Sequence, residues 1–198
     1  MHSQPDESGK KLGMWLFLYT EIILFGGLFV LYAVYFSTYA HDFKEAGKEL
    51  NRLLGLLNTV ILLFSSFAVA AAVTAIQKKE KKTALAGLAA AILCGLIFLV
   101  NKYFEWGHKI EGGIYPNSEK LVSGPHGQNM FFGLYYVITG LHGIHIIIGM
   151  TLLIVSLIFV QRGKITFERF ALLENSGLYW HLVDLIWIFI FPLFYLII

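Results

Sequence analysis

Two acids and three histidines interrupt the long apolar stretches of this chain. The segment Tyr179-Trp180-His181-Leu182-Val183-Asp184-Leu185-Ile186-Trp187 sets a histidine and an aspartate three residues apart in an apolar run that reaches Ile198. Glu21 lies in the middle of the first apolar segment, and His142 and His145 lie within another. In hydrocarbon an aspartate or a charged imidazole costs at least about 2–3 kcal/mol, so such groups face protein or water and pair with something. His181 and Asp184 fall on one helical face, where an imidazole–carboxylate hydrogen bond or a polar clamp between helices could form. His142 and His145, also three apart, invite haem or metal ligation with Glu21 as a third ligand, or plain hydrogen bonds between helices. A bis-histidine haem needs two facing helices at one depth, and His181, at the start of the last apolar run, falls about 10 Å from that run's centre. Glu21, about 14 Å deep by helix rise, could handle protons or bond to a neighbouring helix.

The elements that must hold these residues are transmembrane helices. Of the 198 residues, 57% are hydrophobic and only 14% charged, with a mean hydropathy of +0.68. A span needs about 20 apolar residues. Five fit, near Leu12 to Tyr39, Leu53 to Gln77, Thr83 to Trp106, Met130 to Val160 and Leu178 to Ile198. The expected fold is an all-α integral membrane bundle of five transmembrane helices, residues 12–198, preceded by a polar cytoplasmic arm, residues 1–11. Lys10, Lys11, Lys78, Lys79, Lys81, Lys82, Arg162, Lys164 and Arg169 fall on one side; Lys44, Lys48, Arg52, Lys102, Lys109 and Lys120 fall on the other. That bias predicts a cytoplasmic N-terminus and an external C-terminus. The first span is too long for a cleaved signal peptide and is expected to stay as a helix.

Residues Gly107 to Gln128, rich in glycine and proline, read as an irregular external loop. Small residues, among them Gly26, Gly27, Gly133, Gly140, Gly143 and Gly149, mark helix faces that approach closely. Cys94 is the only cysteine, which excludes an internal disulfide, an iron–sulfur cluster and a c-type haem attachment. No nucleophile triad, phosphate-binding glycine loop or zinc pattern occurs, and a net charge of +2 implies no nucleic-acid partner. Glu105 and Trp106 close the third span and Glu174 precedes the fifth, so both acids read as interfacial. Few spans and scattered buried acids suggest a subunit that packs against a larger partner.

The strings Gly140-Leu141-His142-Gly143-Ile144-His145-Ile146-Ile147-Ile148-Gly149 and Tyr179 to Trp187 resemble two motifs of subunit III of haem–copper terminal oxidases, in that family's order and separation. Glu21, in Leu18 to Phe25, resembles the family's buried glutamate, and Tyr103-Phe104-Glu105 resembles its Tyr-aromatic-Glu motif. The chain is similar to the shorter, five-span bacterial forms that lack the first two of seven helices. Lys102 stands where a glutamate is usual, and the arginine expected near the end of the fourth helix is displaced to Arg162.

The resemblance implies an accessory subunit of a cytochrome c or quinol oxidase in the bacterial cytoplasmic (inner) membrane. Such a subunit carries no catalytic residue, metal or cofactor of its own. It packs on subunit I, which holds haem and copper, and on other oxidase subunits; it binds phospholipid and supports proton uptake and the durability of the oxygen-reducing centre. Glu21, His142, His145, His181 and Asp184 would fix packing; Arg162, Trp180 and His181 are lipid-binding candidates; Glu105, Glu174 and Trp187 are interface candidates. An accessory subunit of nitric oxide reductase, a b-type haem protein using the three histidines, and a proton transporter using Glu21 and Asp184 stay open as alternatives.

Overall fold

A computed structural model describes residues 7–167 and 169–196. Its long helices are α1 (Glu7–Thr38), α3 (Arg52–Gln77), α4 (Lys81–Glu111), α6 (His126–Gln161) and α7 (Ala171–Phe191), with the short α2 (Ala40–Gly47) and α5 (Glu119–Val122) between them. Among the described residues five helices are long and apolar enough to cross a membrane, the fifth running from Ala171 to Leu196. Residues 1–6 of the expected arm and 197–198 of the expected last span lie outside the described residues; from Glu7 onward the arm is already helical.

Two expected boundaries move. The last span begins at Ala171, seven residues before Leu178, so His181 lies well inside the helix rather than at its edge. The reason is packing: the polar first turns, Glu174-Asn175-Ser176-Gly177, present Ser176 and Gly177 inward, where Ser176 bonds Ser156 of α6 (3.1 Å) and Gly177 meets Val69 of α3. The region 107–128 is also more ordered than its composition suggests. α4 continues to Glu111, and Ser118 caps α5 by accepting from Leu121 N.

Side-chain pairs fix the helix directions. Asn58 with Asn101 and Ser65 with Ala91 run α3 against α4. Thr59 with Trp187 and Ser66 with His181 run α3 against α7. Phe17 with Tyr179 and Phe29 with Phe189 lay α1 parallel to α7. α7 is the most enclosed span, and α1 the least. α1 presents Trp15, Ile22, Ile23, Val30 and other apolar side chains outward, as a helix solvated by lipid does.

Trp180 is the keystone of the packing. Its indole is fully buried, and a Cβ added at Gly95 of α4 or Gly149 of α6 would stand 2.9 or 2.7 Å from its ring. Those glycines are therefore contact surfaces, as small residues in membrane helices generally are. Three helices end in the same way, with a left-handed residue that lets two N–H groups turn back onto the last carbonyls. Gly113 and Gly163, at φ 70°, do this after α4 and α6, but after α3 the residue is Lys79 at φ 61°.

Candidate functional site

Among the described residues, ionisable side chains take part in three junctions between the spans. The first joins α1 to α6. Glu21 Oε2 lies 2.8 Å from His145 Nε2, and His145 Nδ1 lies 2.7 Å from the Leu141 carbonyl. A carbonyl only accepts, so Nδ1 carries a proton. One further proton then lies between Nε2 and the carboxyl: a neutral ring accepts from a carboxylic acid, or an imidazolium donates to a carboxylate. The pair is net neutral in either arrangement, which suits its depth in the bundle.

His142 does not join this junction. One turn earlier on α6, it faces away from α1, stacked on Trp187 (5.2 Å) with its edge toward Phe98 (5.5 Å). It is fully buried and neither ring nitrogen has a hydrogen-bond partner among the described residues. The expected shared face of His142 and His145 is thus divided between two different neighbours. Among the described residues no group of three or more His, Cys, Asp or Glu side chains could hold a metal ion.

The second junction joins α3 to α7. His181 Nδ1 meets Ser66 Oγ at 2.5 Å, Trp180 Nε1 donates to Ser65 Oγ at 2.9 Å, and Trp187 Nε1 donates to Thr59 Oγ1 at 3.0 Å. Each interhelical bond of this kind contributes about 0.6 kcal/mol. No bond joins His181 to Asp184, because the imidazole turns across the helix interface to Ser66. Asp184 is buried beside Ser66, and neither of its oxygens has a hydrogen-bond partner among the described residues.

The third junction was not expected. Lys102 and Glu105 of α4 are both buried, with Lys102 Nζ donating to Glu105 Oε2 at 3.0 Å. Tyr135 of α6 and Tyr195 donate to Glu105 Oε1 at 2.9 and 2.7 Å. Lys102 gives its other protons to Tyr195 Oη (2.6 Å) and Tyr135 Oη (3.3 Å), and lies 4.9 Å from the centre of the Trp187 ring. Every proton of the ammonium therefore has an acceptor. Tyr195 is placed by a break in regularity: Pro192 has no N–H to give, and residues Pro192–Leu196 form a wider π turn. Tyr32 of α1 secures that turn by donating to the Leu193 carbonyl at 2.5 Å.

Several expected roles change on this geometry. Glu105 and Trp187, expected at an interface, are buried in the chain's own core, because Glu105 has the Lys102 ammonium to neutralise it and Trp187 fills the space beneath His142. Trp180, a lipid-binding candidate, is enclosed by α3, α4 and α6, and His181 is half-buried against α3. Arg162, at the end of α6, is exposed, and Glu174 is half-buried in the first turn of α7. Lys102, read as a membrane-edge charge and as a departure from a motif, is buried instead, and it had a usable signal: it precedes Glu105 by three residues, the spacing of a helical ion pair. Tyr135 and Tyr195 had none, being brought from 30 and 90 residues away.

Five apolar helices clamped by inward-facing polar junctions define a multi-span α-helical membrane protein. The sequence model described as cytochrome c oxidase subunit III matches residues 1–197, and the chain belongs to that family. It is 33% identical to "Cytochrome c oxidase subunit 3" of Synechocystis sp. over 198 residues, which cover 99% of this chain and 78% of that one. It is 30% identical to "Probable quinol oxidase subunit 3" of Staphylococcus aureus over 192 residues, 95% of this chain and 89% of that one. A third relative, "Probable cytochrome c oxidase subunit 3" of Rickettsia felis, is 30% identical over 220 aligned positions, 98% of this chain and 71% of that one.

Proposed function

We propose that this chain is the accessory, non-redox subunit III of a respiratory haem–copper oxygen reductase in a bacterial cytoplasmic membrane. The family match along essentially the whole chain is the observation that carries this reading. The geometry supports it: Glu21, Lys102, Glu105, His145 and His181 are engaged with one another or with neighbouring helices, as befits groups that fix a scaffold. Haem and copper belong to the catalytic subunit against which this chain packs, and the reduction of oxygen to water takes place there. Through that contact the chain sustains proton uptake and the durability of the reducing centre, with the shared proton of Glu21 and His145 setting the local electrostatics. Phospholipid binds along its outer face, with Arg162 as one contact. The lysine-rich α3–α4 turn supports a cytoplasmic N-terminus and an external C-terminus.

The test is affinity purification of the chain from native membranes in mild detergent, with identification of the copurifying subunits and a reduced-minus-oxidised spectrum. The expected result is recovery with a haem–copper subunit that consumes oxygen. Recovery with a nitric-oxide-reducing subunit, or a haem spectrum from the chain alone, would refute the assignment.

A further inference from the structure

Among the described residues, Asp184 is a buried acid that no junction supplies with a partner. It is 3% exposed, and neither carboxyl oxygen makes a hydrogen bond to a described residue. Glu21 has His145, and Glu105 has Lys102 and two tyrosines. A bare carboxylate so enclosed is costly enough that the group takes a proton instead. The resulting acid has one O–H to donate, and the hydroxyl beside it is that of Ser66 on α3. Cys94 of α4 also feels the Asp184 charge, but a thiol donates and accepts only weakly, so Ser66 is the better carrier.

Ser66 is engaged on its other side. Its Oγ meets His181 Nδ1 at 2.5 Å, and a hydroxyl can accept while it donates. His181 is half-buried; its Nε2 makes no bond to a described residue and opens onto the outer surface of α7, about 15 Å along the helix from Ala171. Carboxyl, hydroxyl and imidazole thus run in order from the interior of the bundle to its outer face.

We infer that Asp184, Ser66 and His181 form a proton relay that loads Asp184 from the outer face of α7. In the unloaded state the carboxylate accepts from Ser66 Oγ–H, and Ser66 Oγ accepts from His181 Nδ1–H, so Nε2 is bare. The carboxyl turns about its own side-chain bonds to meet the hydroxyl, which its lack of other partners permits. A proton is then delivered to Nε2 by a hydronium ion or by an acidic side chain of a neighbouring subunit. Nδ1 passes its proton to Ser66 Oγ, and Oγ passes its own to Asp184. One proton enters and one arrives on the carboxylate, while the imidazole changes tautomer and stays neutral. The relay goes beyond the accessory-subunit reading and does not depend on which complex the chain joins.

The experiment follows the carboxylic acid C=O stretch of Asp184 by infrared spectroscopy after the purified chain, with whatever subunits copurify, is transferred into D2O. The band is assigned by its loss in Asp184→Asn. In wild type it should shift as O–H becomes O–D. Ser66→Ala and His181→Phe should each slow that exchange about 100-fold, the lower end of what a positioned proton-transfer group contributes, and Ser66→Thr should restore it. Thr59→Ala, which removes another contact between α3 and α7 but no member of the relay, should exchange as wild type does. Loosening of the bundle admits water and speeds exchange, so slowing cannot be ascribed to misfolding. A band that never shifts in wild type, or that shifts as fast in Ser66→Ala, would overturn the inference. Exchange in the chain stripped of its neighbours as well as in the complex identifies hydronium as the donor; exchange in the complex alone identifies a side chain of the neighbouring subunit. The copurifying subunits are identified separately, so a wrong oxidase assignment is distinguishable from a failed relay.

Discussion

Replacing Glu105 by glutamine removes the counter-charge of Lys102 while preserving shape. At 3.0 Å and an effective dielectric constant of about 20, the lost attraction is about 5–6 kcal/mol. Glutamine keeps a carbonyl that Tyr135 and Tyr195 can still donate to, which offsets part of this loss. The net destabilisation expected for a broken buried pair is about 3–5 kcal/mol. Lys102→Met, which leaves the carboxylate with its two tyrosine donors, should cost about 3 kcal/mol by the same reasoning. The double variant leaves no charge stranded and should lie within about 1 kcal/mol of wild type. Unfolding by sodium dodecyl sulfate in dodecyl maltoside micelles, followed by tryptophan fluorescence, gives all three values. A coupling energy above about 2 kcal/mol is expected. If the single losses add in the double variant to within about 0.5 kcal/mol, the two residues are energetically independent and the reasoning fails.

Two further pairs of substitutions use other parts of the bundle. Gly149→Ala places a Cβ 2.7 Å from the Trp180 ring and should lower stability by about 1–3 kcal/mol in the same assay, whereas Gly143→Ala, with nothing within 4 Å, should be unchanged or slightly stabilised; equal effects would mean that Trp180 is not wedged against α6. Glu21→Gln should keep a partner for His145 and assemble normally, whereas Glu21→Ala should cost about 1–3 kcal/mol by leaving Nε2 unpaired, with loss of the chain from the copurified complex as the readout; equal recovery of both variants would exclude this role.

The helices were legible in the sequence because bilayer thickness dictates the length of an apolar run, and Arg52–Gln77 begins within a residue of where hydropathy alone places it. The start of α7 was not, since an averaged hydropathy penalises Asn175, Ser176 and Gly177 without knowing that two of them face other helices. Their place inside apolar runs marked Glu21 and His145, and hydrogen bonding in three dimensions supplied their pairing. For His181 and Asp184, spacing along one helix was a poor guide, because a serine on the opposing helix is a better-placed partner than a carboxylate one turn away. The Lys102 junction drew on two tyrosines far off in sequence, which no local pattern could have assigned.

The indole of Trp180 also bears on how the molecule comes into being. Thr59, Ser65 and Ser66 of α3 take their partners from α7, a helix translated more than one hundred residues later. Through that interval Thr59 and Ser65 can already donate to Gly55 of α3 and Ala91 of α4, but the indole donors and the imidazole that reach α3 from α7 are still absent, and the notch lined by Gly95 and Gly149 stays unfilled. Arrival of α7 fills the notch and brings the indole N–H groups of Trp180 and Trp187 to the Ser65 and Thr59 oxygens. Closure of this seam therefore waits on α7, and a chain cut short before Trp180 would leave Gly95 and Gly149 facing an empty notch.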